Sequence, residues 1–283
     1  MPELPEVEAV RRRLEPWITG ASFDHVEIRR PDLRQPFPRR FSRRLVGQTV
    51  LSLSRRAKYL LATLSSCDTL LMHLGMSGSF RIAAPAAQNL PSPTDDPVGF
   101  DRHDHVVFHM SSGATLAYND PRRFGIMDLL SPAALADHSA LGGLGPEPLS
   151  PGFDGATLAK ACKGKKTSLK AALMDQRVVA GLGNIYVCEA LHRAALSPRR
   201  RASTIATPSG APRESAHRLA SAIQQVLTAA IERTFDAASY RATRFRVYDR
   251  EGQPCRRARC GGVIRRWTQA GRSTFYCPRC QAR

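Results

Sequence analysis

The sequence predicts an α+β protein: an N-terminal helix with a β-sandwich domain, then a helical domain that ends in a β-ribbon pinned by cysteines. Three observations carry this. Val7, Val10, Leu14 and Trp17 recur at helical spacing near the start of the chain. Seven short extended runs separated by turn residues follow. Cys255, Cys260, Cys277 and Cys280 close the chain as two tight pairs.

The elements follow in order. The first helix is expected to end at Pro16 and Gly20. Extended runs are expected at 25–29, 48–54, 59–64, 69–73, 106–110, 115–118 and 125–130, as in a sandwich or barrel. Residues 83–99, with four prolines, read as a surface loop. The Gly- and Pro-rich stretch 141–150 separates strand-like from helix-like sequence and is taken as a linker between residues 1–140 and 151–240. Helices are expected at 154–162 and 168–176, then from a turn at 180–186 to about residue 195. A longer amphipathic helix spans 213–236, with Leu219, Ile223, Val226, Leu227 and Ile231 facing inward. Residues 241–283 form the last segment, with strands at 263–268 and 273–276 around Gln269-Ala270-Gly271-Arg272. No internal repeat is evident.

Charge narrows the partner. The formal net charge is +18 and the pI about 10.5. The last 43 residues hold twelve arginines and no lysine against two acids. Such a surface suits a polyanion, because each phosphate neutralised releases counterions; solubility or an anionic membrane surface are the other uses. No apolar run reaches the roughly 18 residues of a membrane span. No charged-then-apolar leader is present either, so a cytoplasmic location is expected. Seven cysteines, an odd number, argue against a disulfide framework, and Cys67, Cys162 and Cys188 are expected in cores.

Two features carry chemistry on their own. The chain opens Met1-Pro2-Glu3-Leu4-Pro5-Glu6-Val7-Glu8. Removal of Met1 would expose the secondary amine of Pro2. An α-amine titrates near 7.7 to 8.0, so an appreciable fraction is a neutral nucleophile able to form a Schiff base with a sugar aldehyde carbon. Glu3 and Glu6 can exchange the protons that ring opening needs, or can simply favour a helix start. At the other end, C-x4-C, sixteen residues and C-x2-C suit one tetrahedral zinc held by Cys255, Cys260, Cys277 and Cys280. Four thiolates leave no open position, so that metal is structural; a redox or iron–sulfur role is the alternative.

Other motifs are ambiguous by themselves. Arg55-Arg56-Ala57-Lys58-Tyr59 is a phosphate contact or a solvated strand end. Met76, between Gly75 and Gly78, is an apolar wedge or a core residue. Asn119 to Gly125 gathers a turn, two cations and an aromatic. His103 reads as a turn histidine, Lys165 as part of a basic loop, Gly181-Leu182-Gly183 as a tight interhelical turn and Arg272 as a ribbon tip small enough for a DNA groove.

Together, MPELPEVE, RRAKYL, HLGMSGS, NDPRRFG, LGPEPL, GLGNIY and the cysteine ribbon resemble the formamidopyrimidine-DNA glycosylases over essentially the whole chain. The resemblance implies excision of an oxidised base through Pro2 and then β and δ elimination at the abasic sugar. It implies Glu3 as the main acid–base residue with Glu6 in support, and Lys58 and Arg272 assisting strand cleavage. Met76, Arg122 and Phe124 would fill the gap left by an extruded base. His103, Lys165 and Asn184 would contact DNA, the last from a helix-hairpin-helix. The expected partner is damaged double-stranded DNA, bound by a monomer, with no membrane. Two departures stand out. The first cysteine pair is spaced by four residues where the family uses two, and the stretch from Ile231 to Val247 lacks the usual loop over an extruded purine. A pyrimidine-preferring, endonuclease VIII-like glycosylase is therefore the alternative enzyme, and a non-catalytic damaged-DNA-binding protein the alternative of another class.

Overall fold

The computed structural model describes residues 2–83, 101–236, 245–269 and 271–282. The chain divides into two compact units, Met1–Gly142 and Gly143–Arg283.

The first unit begins with α1 (Leu4–Ile18) and continues through β1 (Phe23–Ile28), α2 (Phe41–Leu45), β2 (Val50–Arg56), β3 (Tyr59–Leu64) and β4 (Thr69–His73). Then come β5 (Ser79–Ala83), β6 (Asp104–Met110), β7 (Thr115–Asn119), β8 (Ile126–Leu130) and the short helices α3 (Pro132–Ala136) and α4 (Ser139–Gly142). The strands form two four-stranded antiparallel sheets, ordered β1-β6-β7-β5 and β2-β3-β4-β8. Leu60, Ala62 and Leu64 alternate inward along β3 and share one core with Phe108 and Leu116 of the other sheet and with Val7, Leu14 and Trp17 of α1. The helix is thereby fixed to the sandwich by its apolar face.

Several expectations shift. Pro16 lies inside α1, because its missing N–H costs only one bond in the last turn, and Gly20 supplies the left-handed exit at φ +82°. Strand β5 went unread: Phe80 and Ile82 alternate inward, but the strand starts immediately after the Met76 turn and hides in its glycines. Cys67 is exposed, at φ +69° in the turn between β3 and β4, and belongs to no core. The expected loop at 83–99 lies, from residue 84, outside the described residues.

The second unit contains α5 (Gly155–Cys162), α6 (Leu169–Met174), α7 (Asn184–Arg193), a 3-10 turn at Ala202–Ile205, α8 (Glu214–Asp236), and the ribbon strands β9 (Arg265–Gln269) and β10 (Arg272–Tyr276). Asp154 and Ser168 act as N-caps, accepting the Thr157 and Ala171 amides at 2.8 and 3.2 Å, so both helices start one residue later than expected. α7 is buried from Asn184 to His192, as a central helix must be. Leu219, Ile223, Leu227 and Ile231 of α8 are buried as expected, whereas Val226 is only half-buried; Ala216, Ala220 and Ala230 take core positions that allow close helix approach. The Gly- and Pro-rich stretch is tied down on this unit: Gly145 donates to Gln176 O at 2.8 Å and Ala180 to Pro146 O at 3.1 Å. Among the described residues no helix is long and apolar enough to cross a membrane.

Candidate active site and nucleic-acid interface

Pro2 stands half-buried immediately before the helix it heads. Glu3 is the N-cap of α1 and only 1% exposed, and Glu6, also buried, accepts the Glu3 amide at 2.8 Å. This is one arm of a capping box, and it fixes the direction in which the chain leaves the helix toward Pro2. The other arm is the Glu3 side chain, which accepts the Glu6 amide, so both carboxylates anchor the backbone directly behind Pro2.

Lys58 lies in a two-residue turn between β2 and β3, where Arg56 pairs with Tyr59 and Ala57 adopts φ +52°. A non-glycine residue held there is strained and needs support. Arg55 provides it, donating Nη1 to Ala57 O at 2.9 Å and pairing through Nε with Glu8 of α1 at 3.1 Å. Burial alone would raise the Glu8 pKa, but Arg11, Arg12 and Arg55 hold it below the usual carboxylate range. The RRAKY stretch is therefore no loose, solvated strand end: Arg55 couples the turn of Lys58 to the helix of Pro2 and Glu3. His73, across the ladder from Tyr59, was missed by the sequence reading. Burial first, then the charges of Lys58 and Arg34, push its pKa down to about 4. Its Nδ1 accepts the Gly75 amide at 3.1 Å, so the neutral ring keeps its proton on Nε2.

The two motifs expected to form the wedge meet as a single assembly. Met76 is 37% and Phe124 41% exposed, and the Arg122 guanidinium lies 4.9 Å from the Phe124 ring centroid. The turns touch backbone to backbone: a Cβ on Gly75, which is at φ +62°, would collide with the Phe124 carbonyl, and one on Gly78 or Gly125 with the Tyr118 hydroxyl. Beneath both lies Asp120, fully buried. It accepts from Ser77 Oγ at 2.5 Å on the Met76 side and from the Gly125 amide at 2.8 Å on the Phe124 side. His103 belongs to the same assembly, since its carbonyl accepts the Asp120 amide at 3.0 Å.

In the second unit, Gln176 braces the Gly181-Leu182-Gly183 turn, accepting the Gly181 amide at 2.9 Å and donating to Leu182 O at 2.7 Å. The turn leads directly into the N-terminus of α7, and its residues are buried. Asn184 opens that helix and donates to Ser273 O at 3.0 Å. Arg272, exposed, starts β10 opposite Gln269. The structure thus joins Asn184 to the neighbour of Arg272, a pairing the sequence did not suggest. Lys170, 1% exposed, adds donors to Ser273 O at 3.2 Å and Thr274 Oγ1 at 2.7 Å. Lys165 lies on the α5–α6 connection, its amide bonded to Cys162 O at 3.1 Å.

The thiols of Cys255, Cys260, Cys277 and Cys280 all lie within 4.8 Å of one another, with Cys255–Cys280 at 3.9 Å and Cys260–Cys277 at 3.6 Å. A tetrahedron with zinc–sulfur bonds of about 2.3 Å has sulfur–sulfur edges of about 3.8 Å, and a disulfide would need about 2.05 Å. The set therefore fits one structural zinc, and the four-residue spacing leaves all four ligands in place. A Cβ on Gly262 would fall 2.6 Å from Cys277 Sγ, so only glycine fits inside this knuckle.

Comparison with known proteins agrees. Residues 1–127 match the family model for the formamidopyrimidine-DNA glycosylase N-terminal domain, 144–241 its H2TH domain, and 252–283 a zinc finger found in FPG and IleRS. The helical segment expected as a helix-hairpin-helix is accordingly an H2TH domain. A sandwich headed by a capped proline helix, an H2TH unit and a four-thiolate ribbon define the class of zinc-ribbon DNA glycosylases. A formamidopyrimidine-DNA glycosylase from Rhodopseudomonas palustris (strain BisA53) is 59% identical, covering 99% of this chain and 100% of that one. The Lactococcus lactis glycosylase bound non-covalently to DNA with an AP site superposes with a TM-score of 0.83 at 32% identity, covering 100% of both chains. MutM in complex with DNA containing carbocyclic 8-oxo-G does so with a TM-score of 0.83 at 31% identity. The chain belongs to the formamidopyrimidine-DNA glycosylase family.

Proposed function

We propose that this chain is a bifunctional DNA glycosylase and abasic-site lyase. It removes oxidised bases of the formamidopyrimidine or 8-oxoguanine type from duplex DNA and then cleaves the strand by β and δ elimination. The observation that carries the reading is Pro2 in front of a buried, backbone-anchored carboxylate pair at the head of α1.

With Met1 removed, the Pro2 nitrogen attacks the sugar carbon that bears the damaged base. The carbon–nitrogen bond to the base breaks, the base leaves with a proton, and the sugar ring opens to an iminium as Glu3 protonates the ring oxygen. Loss of a sugar proton and of the 3′ phosphate is the first elimination, and loss of the 5′ phosphate the second; water then releases the proline. Glu6 holds the N-terminal backbone in place. Lys58 and Arg272 supply positive charge for departing phosphates. Met76, Arg122 and Phe124 occupy the gap in the duplex, while His103, Lys165 and Asn184 hold the backbone as a monomer binds. When bound, zinc closes the ribbon that carries Arg272 and takes no part in bond making.

Borohydride reduction on an abasic-site duplex tests this. Wild-type protein is expected to form a covalent adduct mapped to the Pro2 nitrogen, absent when that nitrogen is acetylated; Pro2→Gly, which keeps a primary amine, should trap less. No adduct from trimmed, zinc-loaded, DNA-binding protein would instead indicate a non-catalytic binder. Because the stretch from Ile231 to Val247 is short, abasic sites and oxidised pyrimidines are expected to be processed better than 8-oxoguanine. A lesion panel led by 8-oxoguanine would reverse that order. Residues 237–244 of this stretch lie outside the described residues.

A further inference from the structure

The four residues between Cys255 and Cys260 are docked on α7 by a two-way clasp. From the knuckle, Arg257 Nη2 donates to His192 O at 2.5 Å and Arg193 O at 3.1 Å, carbonyls of the last turn of α7, the first of which also accepts the Ala195 amide at 3.0 Å. From the helix, His192 Nε2 lies 3.2 Å from Cys255 Sγ. His192 is 1% exposed, so the ring is committed to this place.

The direction of that bond follows from the chemistry of the sulfur. A thiolate that ligates a cation carries no proton, so the imidazole must be the donor and Nε2 must carry the hydrogen. The other nitrogen, Nδ1, is buried with no partner among the described residues. In this tautomer it is left as a lone pair rather than as a stranded N–H. The imidazole is not a fifth ligand, because the cluster of ligand atoms within 4.8 Å of one another contains the four sulfurs alone among the described residues.

We propose that His192 is the outer partner of the zinc site, donating to the Cys255 thiolate and making α7 part of the metal centre. A hydrogen bond into the thiolate withdraws charge from sulfur, makes it a poorer nucleophile and keeps it on the metal when a competing ligand approaches. The Arg257 amide, 3.5 Å from the same sulfur, acts in the same sense. The longer spacing of the first cysteine pair then has a use: it supplies the residues that reach α7. The inference rests on the metal site and is independent of base excision.

Zinc transfer from the full-length, zinc-loaded protein to 4-(2-pyridylazo)resorcinol tests it. His192→Phe keeps the ring volume and removes the donor; His192→Gln restores an N–H. Removing an outer partner typically costs 10- to 100-fold in metal affinity, so His192→Phe is expected to release zinc at least about 10-fold faster and His192→Gln within about 3-fold of wild type. Iodoacetamide labelling mapped by mass should reach Cys255 first in His192→Phe. A His192→Phe release rate within about 2-fold of wild type would overturn the proposal. Should His192→Phe fail to load zinc, loading of His192→Gln supports the hydrogen bond; failure of both assigns the effect to ring packing and overturns it.

Discussion

The two units hold their functional groups by different means. In the first, Pro2, Lys58, Met76 and Phe124 stand on turns locked by backbone contacts and buried carboxylates over a sandwich core. In the second, Arg272 stands on a two-stranded ribbon whose own core is little more than Val247, Ile264, Phe275 and Cys188 beside the metal cysteines. Isolated hairpins are marginal in water, so this ribbon depends on what pins it: the thiolate cluster at one end, and Lys170 and Asn184 near its tip. The difference teaches that a group on a sandwich can be positioned by backbone contacts and buried carboxylates over a packed core, whereas one on a small ribbon needs a metal. The chain's two tryptophans report on the two cases separately. Trp17 is in the sandwich core, and Trp267 is on the ribbon, 5.4 Å from Tyr276.

The largest effect expected is from removing the metal. Structural zinc contributes on the order of 10 kcal/mol to small metal domains, far more than the ribbon core can replace. Chelation, or Cys260→Ser, should abolish the Trp267 signal and weaken duplex binding by more than about 100-fold, while Trp17 in a Trp267→Phe background stays unchanged. A simultaneous change in Trp17 would break the comparison.

Next in size is Asp120→Ala. Hydrogen bonds to a buried carboxylate are worth about 1.5–3 kcal/mol each, and losing acceptors on both wedge turns should cost about 3–5 kcal/mol in the Trp17 transition. Asp120→Asn, which keeps one oxygen, should lose less. Excision of an intact damaged base should fall at least about 10-fold, and cleavage at a preformed abasic site less, since no base remains to be extruded.

These residues also mark what the sequence could disclose. The helix, most strands, the cysteine cluster and the ribbon were legible because each writes a local pattern: a period of 3.6, a period of 2, a spacing of thiols. The chemistry of an N-terminal amine suggests Pro2 as a nucleophile, and the resemblance of the string around it supplies the role. Asp120, Gln176, Lys170 and His192 were not, since each acts on a partner distant in the chain and looks locally like any polar residue. The nearest available signal was glycine: Gly75, Gly78 and Gly125 announce a close approach without saying to what. Arg55 reads with its basic neighbours as a phosphate contact or a strand end because Glu8, its partner, is 47 residues away.

A smaller effect, confined to the first unit, comes from His73. Its folded pKa, about 4, lies below the ordinary 6.5, because burial and the nearby cations of Lys58 and Arg34 disfavour the charged ring. The unfolded chain therefore binds more protons between those values. The stability is fully present above about pH 6.5 and is lost as pH falls toward 4, amounting to about 2.5 kcal/mol by pH 4.5. The Trp17 transition should fall over this window in wild type and flatten in His73→Asn. Carboxylates such as Glu8, held below their usual range, titrate further down and do not mask it.

The smallest effect sharpens the comparison most. Arg122 lies 4.9 Å over the Phe124 ring at the surface, where a cation–π contact is worth about 0.5–1 kcal/mol. Arg122→Ala should therefore leave the Trp17 transition within about 1 kcal/mol of wild type, and Arg122→Lys closer still. If the wedge is positioned by the backbone and Asp120, as the first unit's construction implies, the double variant Asp120→Ala/Arg122→Ala should show additive losses of stability. The residues meet at Ser77 Oγ only through the Arg122 amide, at 3.2 Å, which Arg122→Ala keeps, so losses from the two side chains should add to within about 0.5 kcal/mol. A clear shortfall from additivity would mean that the surface cation, rather than the buried carboxylate alone, holds Phe124 ready. The first unit would then depend on exposed side-chain contacts much as the ribbon does.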